Sequence, residues 1–128
     1  MVKASKNKSI KAKESKSPFS VHVTADFHSS RPIVSVEELK KLLFQAAKAA
    51  NNTPLKCCIQ KFPVRGMTGV LVLAESHIAI HTWPEHQYIA IDLFTCGKDT
   101  QPIRAMEYLK KILKPKKAVI RHIRRGGV

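Results

Sequence analysis

Phe19, Val21, Val23, Ala25 and Phe27 alternate with Ser20, His22, Thr24 and Asp26. A period of two predicts a strand with one buried face. Residues 28–32 read as a loop. Ser35 followed by Glu38 is a capping box that opens a helix, striped by Leu39, Leu42, Leu43, Ala46, Ala47 and Ala50. Asn51-Asn52 and Pro54 stop it. Residues 55–62 predict a second strand and residues 63–69 a turn with two glycines. A short apolar strand over 70–74 is expected to continue into Ile78-Ala79-Ile80. Trp83-Pro84-Glu85 interrupts the extension, because proline has no ladder donor. Residues 88–94 predict another strand, ended by Cys96-Gly97. Pro102 sits near the start of a second helix through Leu113, striped by Ile103, Met106, Leu109 and Leu113. Pro115 ends it, and residues 118–123 form a last strand.

Consecutive strands joined by short turns are usually antiparallel, and two helices can cover only one face of such a sheet. The expected class is α+β: a two-layer αβ sandwich, mostly antiparallel, with both helices on one face. The other face needs cover, which predicts a homodimer formed through the sheets. One domain is expected over residues 18–128. Residues 1–17 are rich in Lys and Ser with little apolar content, and they read as a disordered tail.

The 128 residues suit one domain, and 44% hydrophobic with 25% charged residues excludes a collagen-like or wholly disordered chain. No run approaches the roughly 20 apolar residues that span a bilayer. The net charge of +14 suggests nucleic acid until it is divided along the chain. Residues 1–17 carry +5, residues 103–128 carry +8, and the middle of the chain only +1. Basic ends of this kind serve solubility or weak, non-specific contact with polyanions. A basic nucleic-acid-binding module is thus a remote alternative. Cys57 and Cys58 are adjacent and poorly placed to pair, and no apolar segment of a secretory signal precedes them. Free thiols and a cytoplasmic location are expected.

The densest polar cluster lies among the strongest buried-strand signals: Glu75-Ser76-His77, His81-Thr82-Trp83-Pro84-Glu85 and Cys96-Gly97. Three readings compete for it. A metal could use His77, His81 and Cys96, but two histidines four apart on a strand stand about 13 Å apart at ~3.3 Å per residue, too far for one zinc. A Ser/Cys–His hydrolase could use Ser76 or Cys96, but Ser76 lacks the Gly-x-Ser-x-Gly elbow. Thirdly, the Ser76 hydroxyl could attack the Glu75 carbonyl and turn the peptide into an ester. Elimination would then cut the chain and leave a pyruvoyl group, with an imidazole to move protons. Spacing alone does not rank the third above the others.

The run from Gly69 to Glu85, with Ile91-Asp92-Leu93-Phe94-Thr95-Cys96-Gly97, resembles the prokaryotic S-adenosylmethionine decarboxylase family over roughly residues 19–125. The resemblance implies self-cleavage at Glu75-Ser76 into a β chain, 1–75, and an α chain, 76–128. It implies a covalent pyruvoyl group made from Ser76 as the cofactor, with neither pyridoxal phosphate nor metal. His81 matches the histidine that assists processing. Thr68 stands where the family usually has a serine helper, and it keeps the hydroxyl. Cys96 matches the proton donor of decarboxylation, Phe62 an aromatic that stacks on adenine, and Glu85 a carboxylate that binds the ribose hydroxyls. Trp83 and Asp26 are further candidates to line the substrate site. The implied fold is an αβ sandwich dimerised through its sheets, with two active sites near the interface.

The implied reaction is Schiff-base formation between the substrate amine and the pyruvoyl ketone, loss of carbon dioxide, and proton return from a thiol acid. The product is the aminopropyl donor for spermidine biosynthesis. The chain departs from the family at Ser20 and Gln87, where glycine is common, and at Ile103, where tryptophan is frequent. Arginine or ornithine is the alternative substrate for the same chemistry. A regular strand puts Ser76 and His81 on opposite faces, since five is odd. A bulge or bend between them, or a chain that curls at the cleavage point, is therefore expected.

Overall fold

A computed structural model describes residues 20–127. The expected tail, 1–17, lies outside the described residues. The elements are β1 (Ser20–His28), α1 (Val36–Ala49), β2 (Pro54–Lys61), β3 (Met67–Leu73), β4 (Ser76–Trp83), a 3₁₀ turn (Pro84–His86), β5 (Tyr88–Cys96), α2 (Pro102–Leu113) and β6 (Lys117–Arg125). All six strands form one sheet in the order β2-β3-β4-β5-β1-β6. Every neighbouring pair is antiparallel.

The alternation read from β1 is the alternation of the fold. Val23, Ala25 and Phe27 meet Ile89, Ile91 and Leu93 of β5 and Ile78 and Ile80 of β4 beneath the helices. Leu39, Leu42, Leu43, Ala46 and Ala47 of α1 and Met106, Leu109 and Leu113 of α2 close that side. Ser35 caps α1 as expected: its hydroxyl accepts the Glu38 backbone N–H at 3.0 Å. Both helices lie on one face, so the opposite face of the sheet has no cover among the described residues. Val72, Trp83 and Ile123 are large apolar side chains exposed there. Among the described residues, no helix is long and apolar enough to cross a membrane.

Two expectations are corrected. The strand expected from residue 70 begins at Met67, so Thr68 and Gly69 belong to β3 and not to the preceding turn. Gly69 is in the strand because a Cβ there would come within 2.9 Å of Leu39 Cδ2 and 3.0 Å of Leu43 Cδ1. It lets α1 lie close on the sheet. The apolar run after residue 70 also does not continue into Ile78. It reverses at Ala74-Glu75, and β3 and β4 pair as a hairpin with Leu73 opposite Ser76.

Gly66 is required for a different reason. Its φ is +94°, and a Cβ would sit 3.0 Å from the Thr82 carbonyl oxygen. Gly66→Ala is therefore expected to cost about 1–3 kcal/mol. A lowered denaturant midpoint at unchanged m-value would show it.

Candidate active site

Antiparallel pairing with period 2 sends the even residues of β1 and β5 and the odd residues of β4 to the uncovered face. Most of the candidate side chains collect there. They fall into two groups.

The first group surrounds the Glu75-Ser76 bond at one end of β4. Ser76 leaves the hairpin turn at φ +149°, a conformation L-residues rarely hold and one that stores strain. The Glu75 carbonyl oxygen accepts the Cys96 backbone N–H at 3.2 Å and the Cys96 Sγ–H at 3.4 Å. The antiparallel register brings Cys96 there, since Ser76 pairs with Thr95 across β4 and β5. The Glu75 side chain is held from the start of β2. The Thr53 N–H and hydroxyl donate to its two carboxylate oxygens at 2.9 and 3.2 Å. Burial pushes the Glu75 carboxyl up, but the Thr53 backbone N–H, its own backbone N–H, the Thr53 hydroxyl and the Asn52 side chain together outweigh that. They hold it below the usual carboxylate range.

The second group lies further along the sheet. Thr68 and His81 are direct partners across β3 and β4, and Thr68 Oγ1 is 3.1 Å from His81 Nδ1. The Thr68 hydroxyl expected to assist processing is thus in contact with the His81 ring. Phe62 and the Pro84 ring both flank Gly66, each within 4.0 Å of where its Cβ would stand. The fold thereby brings Phe62 beside the 3₁₀ turn that carries Glu85. Trp83 lies against Tyr88, ring centroids 5.3 Å apart. Trp83, Tyr88, His28 and His86 line a cleft of about 410 Å³. Asp26 accepts the Tyr88 hydroxyl and lies 3.5 Å from Arg121 Nη1.

That Asp26 contact, with burial second, pushes the Tyr88 phenol up to about 12. A raised acid pKa adds stability that is complete below about pH 10, the ordinary tyrosine value, and is lost as pH rises through the folded value. Phenolate absorbance from Tyr88 is expected only near pH 12, and Asp26→Asn is expected to bring it back toward the ordinary value.

The two groups do not meet within one chain. The β4 ladder runs without a break from Ser76 to His81 against β3 and from Ser76 to Trp83 against β5, so the expected bulge or bend between Ser76 and His81 is absent. The chain curls instead at the expected cleavage point, at Ala74-Glu75. Five residues of extended strand separate Ser76 from His81 by about 16 Å, and seven separate it from Trp83 by about 23 Å.

The sequence reading missed the network at the centre of the open face. Arg125 Nη1 donates to His22 Nδ1 at 3.1 Å, which leaves His22 Nε2–H to donate to Asp92. The other Asp92 oxygen is 3.7 Å from His77 Nε2. The Arg125 guanidinium also lies over Phe94, 5.4 Å from the ring centroid. The β1–β5 register, which pairs His22 with Phe94 and Thr24 with Asp92, puts Asp92 within reach of His22. The alternation of β1 and β5 marks both residues as open-face, and that is the one signal the sequence held.

Comparison with known proteins converges on one family. The S-adenosylmethionine decarboxylase family profile matches residues 21–126. A protein of Sulfurihydrogenibium sp. named S-adenosylmethionine decarboxylase proenzyme is 46% identical over 110 residues, covering 84% of this chain and 83% of its own. One of the same name from Persephonella marina is 44% identical over 110 residues, with the same coverage of both chains. The crystal structure of the adenosylmethionine decarboxylase of Aquifex aeolicus superposes with a TM-score of 0.81 at 38% identity, over 88% of this chain and 94% of that one. A shared fold, shared sequence across nearly the whole described domain and the Glu-Ser-His turn at its edge place this chain in the S-adenosylmethionine decarboxylase family.

Proposed function

We propose that the chain is a proenzyme that cuts itself between Glu75 and Ser76 and then decarboxylates S-adenosylmethionine. One observation carries the reading. A serine under backbone strain follows a carbonyl whose oxygen already accepts two hydrogen bonds, from the Cys96 N–H and thiol. Attack by Ser76 Oγ on the Glu75 carbon puts negative charge on that oxygen, where the donors are in place to stabilise it. The peptide becomes an ester. Loss of the residue 76 α-hydrogen then expels the Glu75 carboxylate, and water displaces the nitrogen as ammonia. The pyruvoyl group so formed supplies a ketone for the substrate amine and an electron sink. Cys96, beside the cut, is the acid that returns a proton to the former α-carbon.

The second group of residues joins this site through a second copy of the chain. The exposed Val72, Trp83 and Ile123 on the uncovered face support a homodimer that packs open face on open face. A two-fold interface is self-complementary, so whatever one copy lays over its partner it receives in return. The partner's Thr68 and His81 would then serve the cut at Ser76. The partner's Phe62 and Glu85 would hold adenine and ribose, with Trp83 and Asp26 nearby.

Intact mass and release of labelled carboxyl carbon from S-adenosylmethionine, arginine and ornithine test the first proposal. Two chains, 1–75 and 76–128, with release from S-adenosylmethionine alone are expected. A single uncut chain that still decarboxylates it without pyridoxal phosphate overturns the mechanism, and release from arginine or ornithine changes the substrate. Mixed dimers test the second. Ser76→Ala and the pair Phe62→Ala/Glu85→Gln are each inactive alone. Co-expressed in equal amounts they are expected to recover roughly a quarter of wild-type activity, because half the dimers are mixed and each has one complete site. No recovery places both groups in one chain.

A further inference from the structure

Asn52, read from sequence only as part of a helix stop, and its neighbour Thr53 straddle the bond to be cut. Thr53 grips the residue before it. Its N–H and hydroxyl hold the Glu75 carboxylate, and its carbonyl accepts the Ala74 N–H at 2.9 Å. Asn52 grips the residue across from the one after it. Its Nδ2 donates to Thr95 Oγ1 at 3.1 Å, and Thr95 is the cross-strand partner of Ser76. Asn52 is only 7% exposed. Its Oδ1 is the one buried side-chain polar atom among the described residues without a hydrogen-bond partner. A buried acceptor with no donor costs stability, and a chain that keeps one needs a reason for it.

We propose that Asn52-Thr53 is a positioning clamp for self-cleavage, with Thr53 fixing the Glu75 carbonyl against Cys96 and Asn52 Oδ1 reserved to accept the Ser76 hydroxyl hydrogen. This rests on the self-cleavage reading above. The clamp acts before the bond breaks. A Ser76 hydroxyl whose hydrogen is held by Asn52 points an oxygen lone pair elsewhere, and the Glu75 carbon is the electrophile one residue away. Neither side chain is needed afterwards, because decarboxylation uses the ketone, the thiol and the substrate-binding residues. The Asn52 backbone N–H closes α1 on the Ala47 carbonyl at 2.9 Å, and no side-chain replacement touches that bond.

The test follows the uncut fraction by intact mass after synthesis of Asn52→Leu, Thr53→Val and Thr53→Ser. Asn52→Leu and Thr53→Val are expected to cleave at least tenfold more slowly than wild type. Their melting temperatures should stay within a few degrees of wild type, and turnover per cleaved chain should be unchanged. Thr53→Ser keeps the hydroxyl and is expected to restore the rate. Hydroxylamine, which cuts esters and leaves peptides, should release no fragment from the slow variants, because the block precedes the ester. Wild-type cleavage rates in both slow variants overturn the clamp. So does hydroxylamine release of the fragments, which would move the block past the attack. A parallel loss of cleavage, melting temperature and turnover also overturns it, since that is a fold defect. If the wild-type chain itself never cuts, the underlying reading fails instead.

Discussion

Alanine at position 76 is expected to leave one uncut chain of about the full 14.3 kDa that releases no carbon dioxide from S-adenosylmethionine. The hydroxyl is the only atom group removed, and it is the group that must attack the Glu75 carbonyl. No neighbouring nucleophile replaces it: the Cys96 thiol donates to the Glu75 oxygen, and His77 is engaged with Asp92 on the open face. The fold should persist, because Ser76 is the first residue of β4 and its ladder partners Leu73 and Thr95 bond through the backbone. Unchanged circular dichroism with a single mass would separate lost chemistry from lost structure. Cysteine at the same position keeps a competent nucleophile, so partial, slow cleavage is expected there. A Ser76→Ala chain found in two pieces would end the proposal.

Cys96→Ala is expected to cleave and then fail as a catalyst. Alanine retains the backbone N–H that donates to the Glu75 carbonyl at 3.2 Å, so one of the two donors for the attack survives. The thiol does not, and a general acid of this kind contributes about 10²–10⁴-fold. Turnover per cleaved chain should fall by that order while the uncut fraction rises modestly. Turnover equal to wild type in fully cleaved protein would remove Cys96 from the mechanism. An uncut but folded Cys96→Ala chain would show that the thiol, and not the N–H, carries the load during the attack.

Much of this was legible in the sequence, and the remainder has identifiable physical causes. The strands, both helices and the one-sided covering follow from alternation and striping. The hairpin at Ala74-Glu75 does not, because the apolar runs 70–74 and 78–80 read as one strand and Ala-Glu lacks the chemistry of tight turns. Gly69 read as turn punctuation because the approach of α1 that requires it is tertiary. Gln87 was visible only as a departure from the pattern the resemblance implied, and its φ of +51° is a conformation that favours glycine. The site blocks were legible as a resemblance. Strand parity alone raised the conflict between Ser76 and His81, but only the register shows that the strand between them stays straight. The His22–Asp92–His77 network joins three strands across 70 residues of sequence, and no local pattern encodes it. Asn52 and Thr53 look like any helix terminus until Glu75 arrives beside them.

The strand order also decides what the cut does to refolding. Division at Glu75-Ser76 assigns β1, β2 and β3 to one fragment and β4, β5 and β6 to the other. Yet β1 lies between β5 and β6, so the fragments interleave and neither can leave without breaking β1 from both neighbours. The uncut chain folds in a unimolecular reaction, but the same fold after the cut can be rebuilt only by a collision of two molecules. Recovery of the sheet from denaturant should therefore depend on concentration and slow on dilution in the mature protein, whereas in Ser76→Ala the sheet forms within one chain and only the docking of two copies should depend on concentration. The working lifetime of the cut protein is then set by how slowly β1 is released, a kinetic and not an equilibrium property.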